Sequence, residues 1–264
     1  MKRFLCLLLF SLTVTSNGAL AGTACSEKAA SADTAQKAFR MAIKTRDALD
    51  ASGAQVAIVG RVGQDLSKYG LRFSHAGIIW RDSPQGKWIF THELNQCGTA
   101  NSALFNEGLA NFFFDDMFAW EALIIVPSPS LQVSLTERLK NSARLKTIHE
   151  PHYNMVAYPF SSKYQNSNQW AIEVIADAKM NEAVPNRKAI QTWLKQQHYQ
   201  PSVLRIPALQ RLGGRIFKAN IAFDDHPNED RFSGKVAVVS VDSLQSFIQQ
   251  VDPGSSALTL SLTQ

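Results

Sequence analysis

Leu71-Arg72-Phe73-Ser74-His75-Ala76-Gly77-Ile78-Ile79-Trp80 and, after six residues, Lys87-Trp88-Ile89-Phe90-Thr91-His92-Glu93-Leu94 decide the fold class. Both runs are rich in aromatic and β-branched residues, and the intervening Arg81-Asp82-Ser83-Pro84-Gln85-Gly86 has the aspartate, proline and glycine of a hairpin loop. The reading is an antiparallel pair. Upstream, Gln55 to Gly60 is a short β-rich run closed by glycine, and Asp33 to Leu49 spaces Ala35, Ala38, Phe39, Ala42, Ile43 and Leu49 as a helix with one buried face.

Downstream, the pattern predicts a short helix over 103–114 with Gly108 inside it, and a strand over 120–126 stopped by Pro127 and Pro129. Ser134-Leu135-Thr136-Glu137 matches a capping box and predicts a helix start. An irregular stretch, 150–163, precedes an amphipathic helix over 167–179 and a shorter one from 186 to about 197. A helix ending at Gly213-Gly214, an acidic loop over 224–230, a β-rich run over 235–241, a helix capped by Ser243 and a frayed Ser/Thr-rich tail from Pro253 complete the chain. Helices and mostly antiparallel strands without βαβ alternation make the class α+β.

At 264 residues, 45% hydrophobic and 19% charged, the chain can bury a sizeable core and is too apolar for a disordered tail. Met1-Lys2-Arg3, the apolar run 4–10 and Ala19-Leu20-Ala21 read as a secretory signal peptide over 1–21, which leaves 22–264 as one domain in the periplasm or outside the cell. No later run is long and apolar enough to cross a bilayer. Removing Lys2 and Arg3 lowers the formal charge from +5 to +3; scattered basic residues without aromatic interleaving argue against nucleic acid. Cleavage also leaves Cys25 and Cys97 as the mature cysteines, which an oxidising compartment would pair.

Chemistry-bearing residues gather in two places. His75 opens one strand of the hairpin, and His92 and Glu93 lie on the other; because successive strand residues alternate in face, only one of the two can face His75. The second place is Tyr164-Gln165-Asn166-Ser167-Asn168-Gln169-Trp170, where Ser167 falls at a helix N-terminus, whose free N–H groups stabilise negative charge. Asn166 or Ser167 there also has the form of a plain N-cap. Asn166, Asn168 and Asn95 are candidate binding residues. The acidic loop around His226 has proline where a calcium loop wants a glycine turn, and Pro151 breaks the His149/His152 spacing, so no metal or other cofactor is expected.

Together these motifs resemble the circularly permuted papain-like proteins, the group of the NlpC-type cell-wall peptidases and the lecithin retinol acyltransferase-like enzymes. Tyr-Gln-Asn-Ser-Asn-Gln-Trp and His-Glu-Leu-Asn-Gln-Cys-Gly-Thr are similar to a family of secreted bacterial proteins described as a domain of unknown function. The resemblance covers about 55–179 and implies a permuted papain-like core with a C-terminal extension over 180–264. It implies His75 as base, His92 or Glu93 as orienting group, and Ser167 where the group keeps its cysteine. A serine needs a base to take its proton as it attacks, whereas a thiol ionises beforehand. The resemblance therefore implies either a module that binds an envelope peptide, glycan or lipid through a degenerate site, or a hydrolase of amide or ester bonds with a Ser167/His75/acid triad.

Overall fold

The computed structural model describes residues 31–115, 117–180 and 186–262. The expected signal peptide and Cys25 lie outside the described residues. In chain order the elements are α1 (Ala32–Ser52), β1 (Val56–Val62), β2 (His75–Ser83), β3 (Gly86–Asn95), β4 (Ser102–Gly108), α2 (Leu109–Phe113), β5 (Ala119–Val126), α3 (Pro129–Lys140), α4 (Ser142–Ile148) and α5 (Ser167–Met180). There follow α6 (Arg187–Gln196), β6 (Ser202–Arg205), α7 (Ala208–Phe217), α8 (Asn228–Ser233), β7 (Lys235–Val238), α9 (Val241–Val251) and β8 (Ser256–Ser261).

Six strands form one antiparallel sheet in the order β4-β3-β2-β1-β5-β8, and β6 pairs with β7 in a separate ribbon. Alternation along the strands divides the sheet between two apolar clusters. Val56, Ile58, Ala76, Ile78, Trp80, Leu123 and Ile125 face α3, α5 and α9 on one side. Ala57, Val59, Ile79, Trp88, Phe90, Ala122 and Ile124 face α1 and α2 on the other. The class is α+β, with an antiparallel sheet packed between helices. The first cluster runs from Val56 to Ile248, so α6 and α9 share a core with the hairpin, while Leu204, Ile206, Phe223, Val236 and Val238 form a third cluster with Val156 around the β6–β7 ribbon.

Helix α5 is buried from Ser167 to Ala178, which includes two carboxylates on a helix with no water to solvate them. Each is caged instead. Glu173 accepts from Arg187 Nε at 2.7 Å, Gln165 Nε2 at 2.6 Å and Gln191 Nε2 at 2.9 Å. Asp177 accepts from Arg138 Nε at 2.9 Å and from Arg144 Nε at 2.7 Å. Stripping the cage from one of them would leave a bare buried charge, at a cost of about 3–5 kcal/mol.

Beyond the shifted ends of α7, which runs through Gly213-Gly214 to Phe217, and of α9, whose N-cap is Ser240 rather than Ser243, four sequence expectations are corrected. Residues 103–114 are not one helix: Ser102 to Gly108 extend as β4, paired with β3 from Ile89↔Gly108 to Asn95↔Ser102, and only 109–113 are helical. Helix α3 starts before the Ser134 box, because Ser128 accepts from Leu131 N and Pro129 sits in the first turn, where a missing N–H costs nothing. Ser134 lies mid-helix, its hydroxyl turned back to Ser130 O. The acidic loop is not merely solvated: His226 is 5% exposed, with Nδ1 3.0 Å from Asp225 Oδ1 and Nε2 3.0 Å from Ala237 O.

The fourth correction concerns the tail. Residues 256–261 form β8 along β5 instead of fraying, from Val126↔Ser256 to Glu121↔Ser261, with Leu258 and Leu260 packed on the second cluster. Asp252 secures the approach by accepting from Ser128 N at 2.8 Å and Ser128 Oγ at 2.6 Å. A chain ending after Asp252 loses these leucines and a full ladder of hydrogen bonds. It should be less stable by roughly 2–4 kcal/mol and aggregate through the uncovered edge of β5, as urea titration and light scattering would detect.

Candidate functional site

The β2–β3 register pairs Ile78 with Thr91 and Ile79 with Phe90, which sends His75, Gly77, Phe90 and His92 to the face covered by α2. His75 Nε2 lies 2.9 Å from His92 Nδ1. Gly77 makes room for this pair, since a Cβ there would stand 2.9 Å from Phe90 Cδ1 and 3.1 Å from His92 Cβ. Phe112 stacks on Phe90 at 3.9 Å and lies within 5.8 Å of both imidazoles, forming an aromatic floor.

Behind His92, its Nε2 is 3.4 Å from Glu107 Oε2, an ion-pair distance rather than a well-formed hydrogen bond. Beside His75, Arg61 is its cross-strand partner and holds the Phe112 carbonyl and the Asp115 carboxylate. Burial, the Arg61 charge and His92 together push the His75 pKa well below the ordinary imidazole value. Burial also lowers that of His92, although Glu107 pulls the other way, and His92 in turn lowers the Glu107 carboxyl. Both imidazoles are thus neutral at neutral pH.

A nearby carboxylate favours the tautomer with the proton on the facing nitrogen. In the tautomer with the His92 proton on Nε2 toward Glu107, His92 Nδ1 accepts from His75 Nε2–H and His75 Nδ1 keeps a lone pair. Among the described residues Nδ1 has no hydrogen-bond partner, and it is not sealed from solvent. Such a nitrogen can accept a hydrogen bond from a ligand N–H or O–H, or take a proton from water.

Ser167 is on the other side of the sheet. Asn166 caps α5, its Oδ1 accepting from Gln169 N at 2.8 Å, and Asn168 fastens the helix to β2 by accepting from Ala76 N at 3.0 Å and donating to Ser74 O at 3.3 Å. The side chain of Ala76 faces α5 and that of His75 faces α2, so the strand stands between Ser167 and the imidazole. The structure therefore brings together His75 and His92, and separately Ser167 and Glu93, but does not assemble a Ser167/His75 pair. Asn95 ties loops: its Nδ2 donates to Thr99 O and Asn101 O, and its Oδ1 accepts from Asn220 Nδ2.

On the Ser167 side, Tyr153 lies against the serine, and burial pushes its hydroxyl up to about 12 while the hydrogen bond to Ser167 opposes the shift. Glu93 is fully buried beside them without a cage. Neither of its oxygens reaches hydrogen-bond geometry; His149 Nε2 is 4.0 Å away and is itself 2.9 Å from Ser102 Oγ. Burial first, with Ser102 opposing and the Glu173 charge reinforcing, raises the Glu93 carboxyl to about 8. It is a protonated acid at neutral pH. Among the described residues no three of His, Cys, Asp and Glu are placed to share a metal ion.

Arg61, Glu107, Tyr153, Ser102 and Phe112 complete these two clusters and were not singled out from the sequence. Arg61 alone left a trace there, as a lone cation in the apolar run Val59-Gly60-Arg61-Val62.

Glu93 gives a signed pH prediction. The unfolded chain releases this proton near 4.5 and the folded protein holds it to about 8, so the group's contribution to stability declines as pH rises through that window. Glu93→Gln should remove the decline. Relative to the parent it should gain stability progressively from pH 5 to 8.5, reaching on the order of 3 kcal/mol, in urea unfolding at each pH; an unchanged slope would contradict the assignment.

No curated protein and no solved structure matches this chain. A family model described as an uncharacterized protein conserved in bacteria, DUF2145, matches residues 48–248, which takes in the end of α1, the β2–β3 hairpin with both imidazoles, α5 with Ser167 and α9 as far as Ile248. With most of its length inside that match, the chain belongs to the DUF2145 family of uncharacterized bacterial proteins.

Proposed function

We propose that this protein is a binding module of the bacterial envelope, in which the serine at the helix start is not a working nucleophile. One observation carries the reading: β2 stands between Ser167 and His75, so the His75 imidazole is not placed to take the serine's proton. Asn166, Asn168 and Asn95 are engaged in holding backbone. Recognition falls instead to His75 Nδ1 as acceptor, an atom suited to an amide N–H of a peptide or a hydroxyl of a glycan. Export directed by residues 1–21, a periplasmic or secreted location and a Cys25–Cys97 disulfide belong to the same proposal.

The order of elements, His75 and the polar strand residues ahead of the Ser167 helix, agrees with descent from a permuted papain-like core; the facing of His75 departs from it. A second reading is favoured by the Glu107–His92–His75 chain. A carboxylate that orients one imidazole, which orients a second, resembles the base-and-orienter arrangement of hydrolases, with His75 Nδ1 acting on water rather than on Ser167.

A serine-directed fluorophosphonate should leave the folded protein unlabelled at Ser167, and soluble peptidoglycan fragments should bind the parent but bind His75→Ala at least about tenfold more weakly, the loss expected when a buried polar partner is removed. Labelling at Ser167 that disappears in His75→Ala would overturn the proposal. Hydrolysis of an activated ester that survives Ser167→Ala and is lost in His75→Gln would establish the second reading in its place.

A further inference from the structure

Helix α7 is a surface helix that buries none of its described side chains. Leu209 is 80% exposed and Leu212, one turn on, is 56% exposed, while Phe232 on the adjoining α8 is 75% exposed. The two helices are joined by Arg211, whose guanidinium holds Arg231 O. An amphipathic helix ordinarily turns its apolar stripe to the core; here the stripe points outward and makes one apolar surface with Phe232.

The same surface is cationic. Arg205, Arg211, Arg215, Lys218, Arg231 and Lys235 fall on α7, α8 and the β6–β7 ribbon or beside them, and among the described residues none of the six is in an ion pair. Nearby acids are committed elsewhere: Asp224 pairs with Lys163, and Asp225 with His226. Glu229 and Asp230, in the first turn of α8, offset part of this charge.

We propose that α7, α8 and the edge of the β6–β7 ribbon dock on an anionic lipid bilayer, with Leu209, Leu212 and Phe232 entering the headgroup boundary and the surrounding cations held at the lipid phosphates. A bilayer interface answers both halves of the surface, apolar area and unpaired positive charge, in one plane. A second copy of the chain would oppose like charges across a two-fold contact. Nucleic acid would answer the cations and leave the leucines and the phenylalanine wet. This surface is separate from the imidazole pair, so it stands whether or not that site binds as proposed.

Sedimentation of the full chain with vesicles tests it. Residues 1–30 are left unchanged in every variant, so any attachment through them is a constant background. The parent should bind vesicles of phosphatidylcholine and phosphatidylglycerol in equal parts, bind phosphatidylcholine alone weakly, and release with salt. The double variant Leu209→Ser/Leu212→Ser and the charge variant Arg205→Gln/Arg215→Gln/Lys218→Gln should each lose about tenfold or more in partitioning, with thermal midpoints unchanged because the positions are exposed. Binding undiminished in both variants would overturn the proposal. So would a dimer of the parent that Leu209→Ser/Leu212→Ser dissolves, or displacement from vesicles by single-stranded RNA.

Discussion

A strand sends successive side chains to opposite faces, and in β2 and β3 that alternation governs everything the protein can do with its polar residues. One face of the hairpin meets α2 and gathers two imidazoles, an arginine and an aromatic floor. The other meets α5 and gathers a serine, a tyrosine and an uncaged acid. His92 and Glu93 are neighbours in the chain, yet they belong to different electrostatic environments with a β-sheet between them. Changing the register by one residue would exchange the two sets and expel both apolar clusters from their places.

The buried carboxylates make the contrast sharper. Glu173 and Asp177 lie one helical turn apart on α5 and are both satisfied by arginines from other elements, so their charges act as fasteners between α5, α3, α4 and α6. Glu93, equally buried, is given no cation and holds a proton in place of a charge. Glu93 sits where Ser167, Tyr153 and His149 converge, and a protonated acid there is a hydrogen-bond donor in waiting.

Much of this fold was legible from the chain. The hairpin, the first helix and α5 announce themselves because alternation and helical spacing are local and strong at those positions. In 103–114, Leu104, Phe105, Leu109, Phe112 and Phe113 fit a helical stripe as well as a strand, which conceals β4 and with it Glu107. In the tail, serines and threonines suggest fraying although Ala257-Leu258-Thr259-Leu260-Ser261 alternates as a strand should. Of the site, the choice between His92 and Glu93 could be posed from parity and not answered, since the answer depends on which face meets which helix. Tyr153 and His149 reach Glu93 from a distant part of the chain, and Ser102 from the β4 strand that the helical pattern conceals, so nothing local in the sequence foretells such a meeting.

Strand β8 carries a consequence for the order in which the molecule is made. Its ladder to β5 joins segments separated by more than a hundred residues, a span that includes α3, α5, the β6–β7 ribbon and α9. Until all of that has been synthesised, the edge of β5 stays open and the second apolar cluster lacks its last leucines. The sheet is therefore closed late, by a contact of very long sequence separation, and the growing chain must be shielded from strand exchange during that interval.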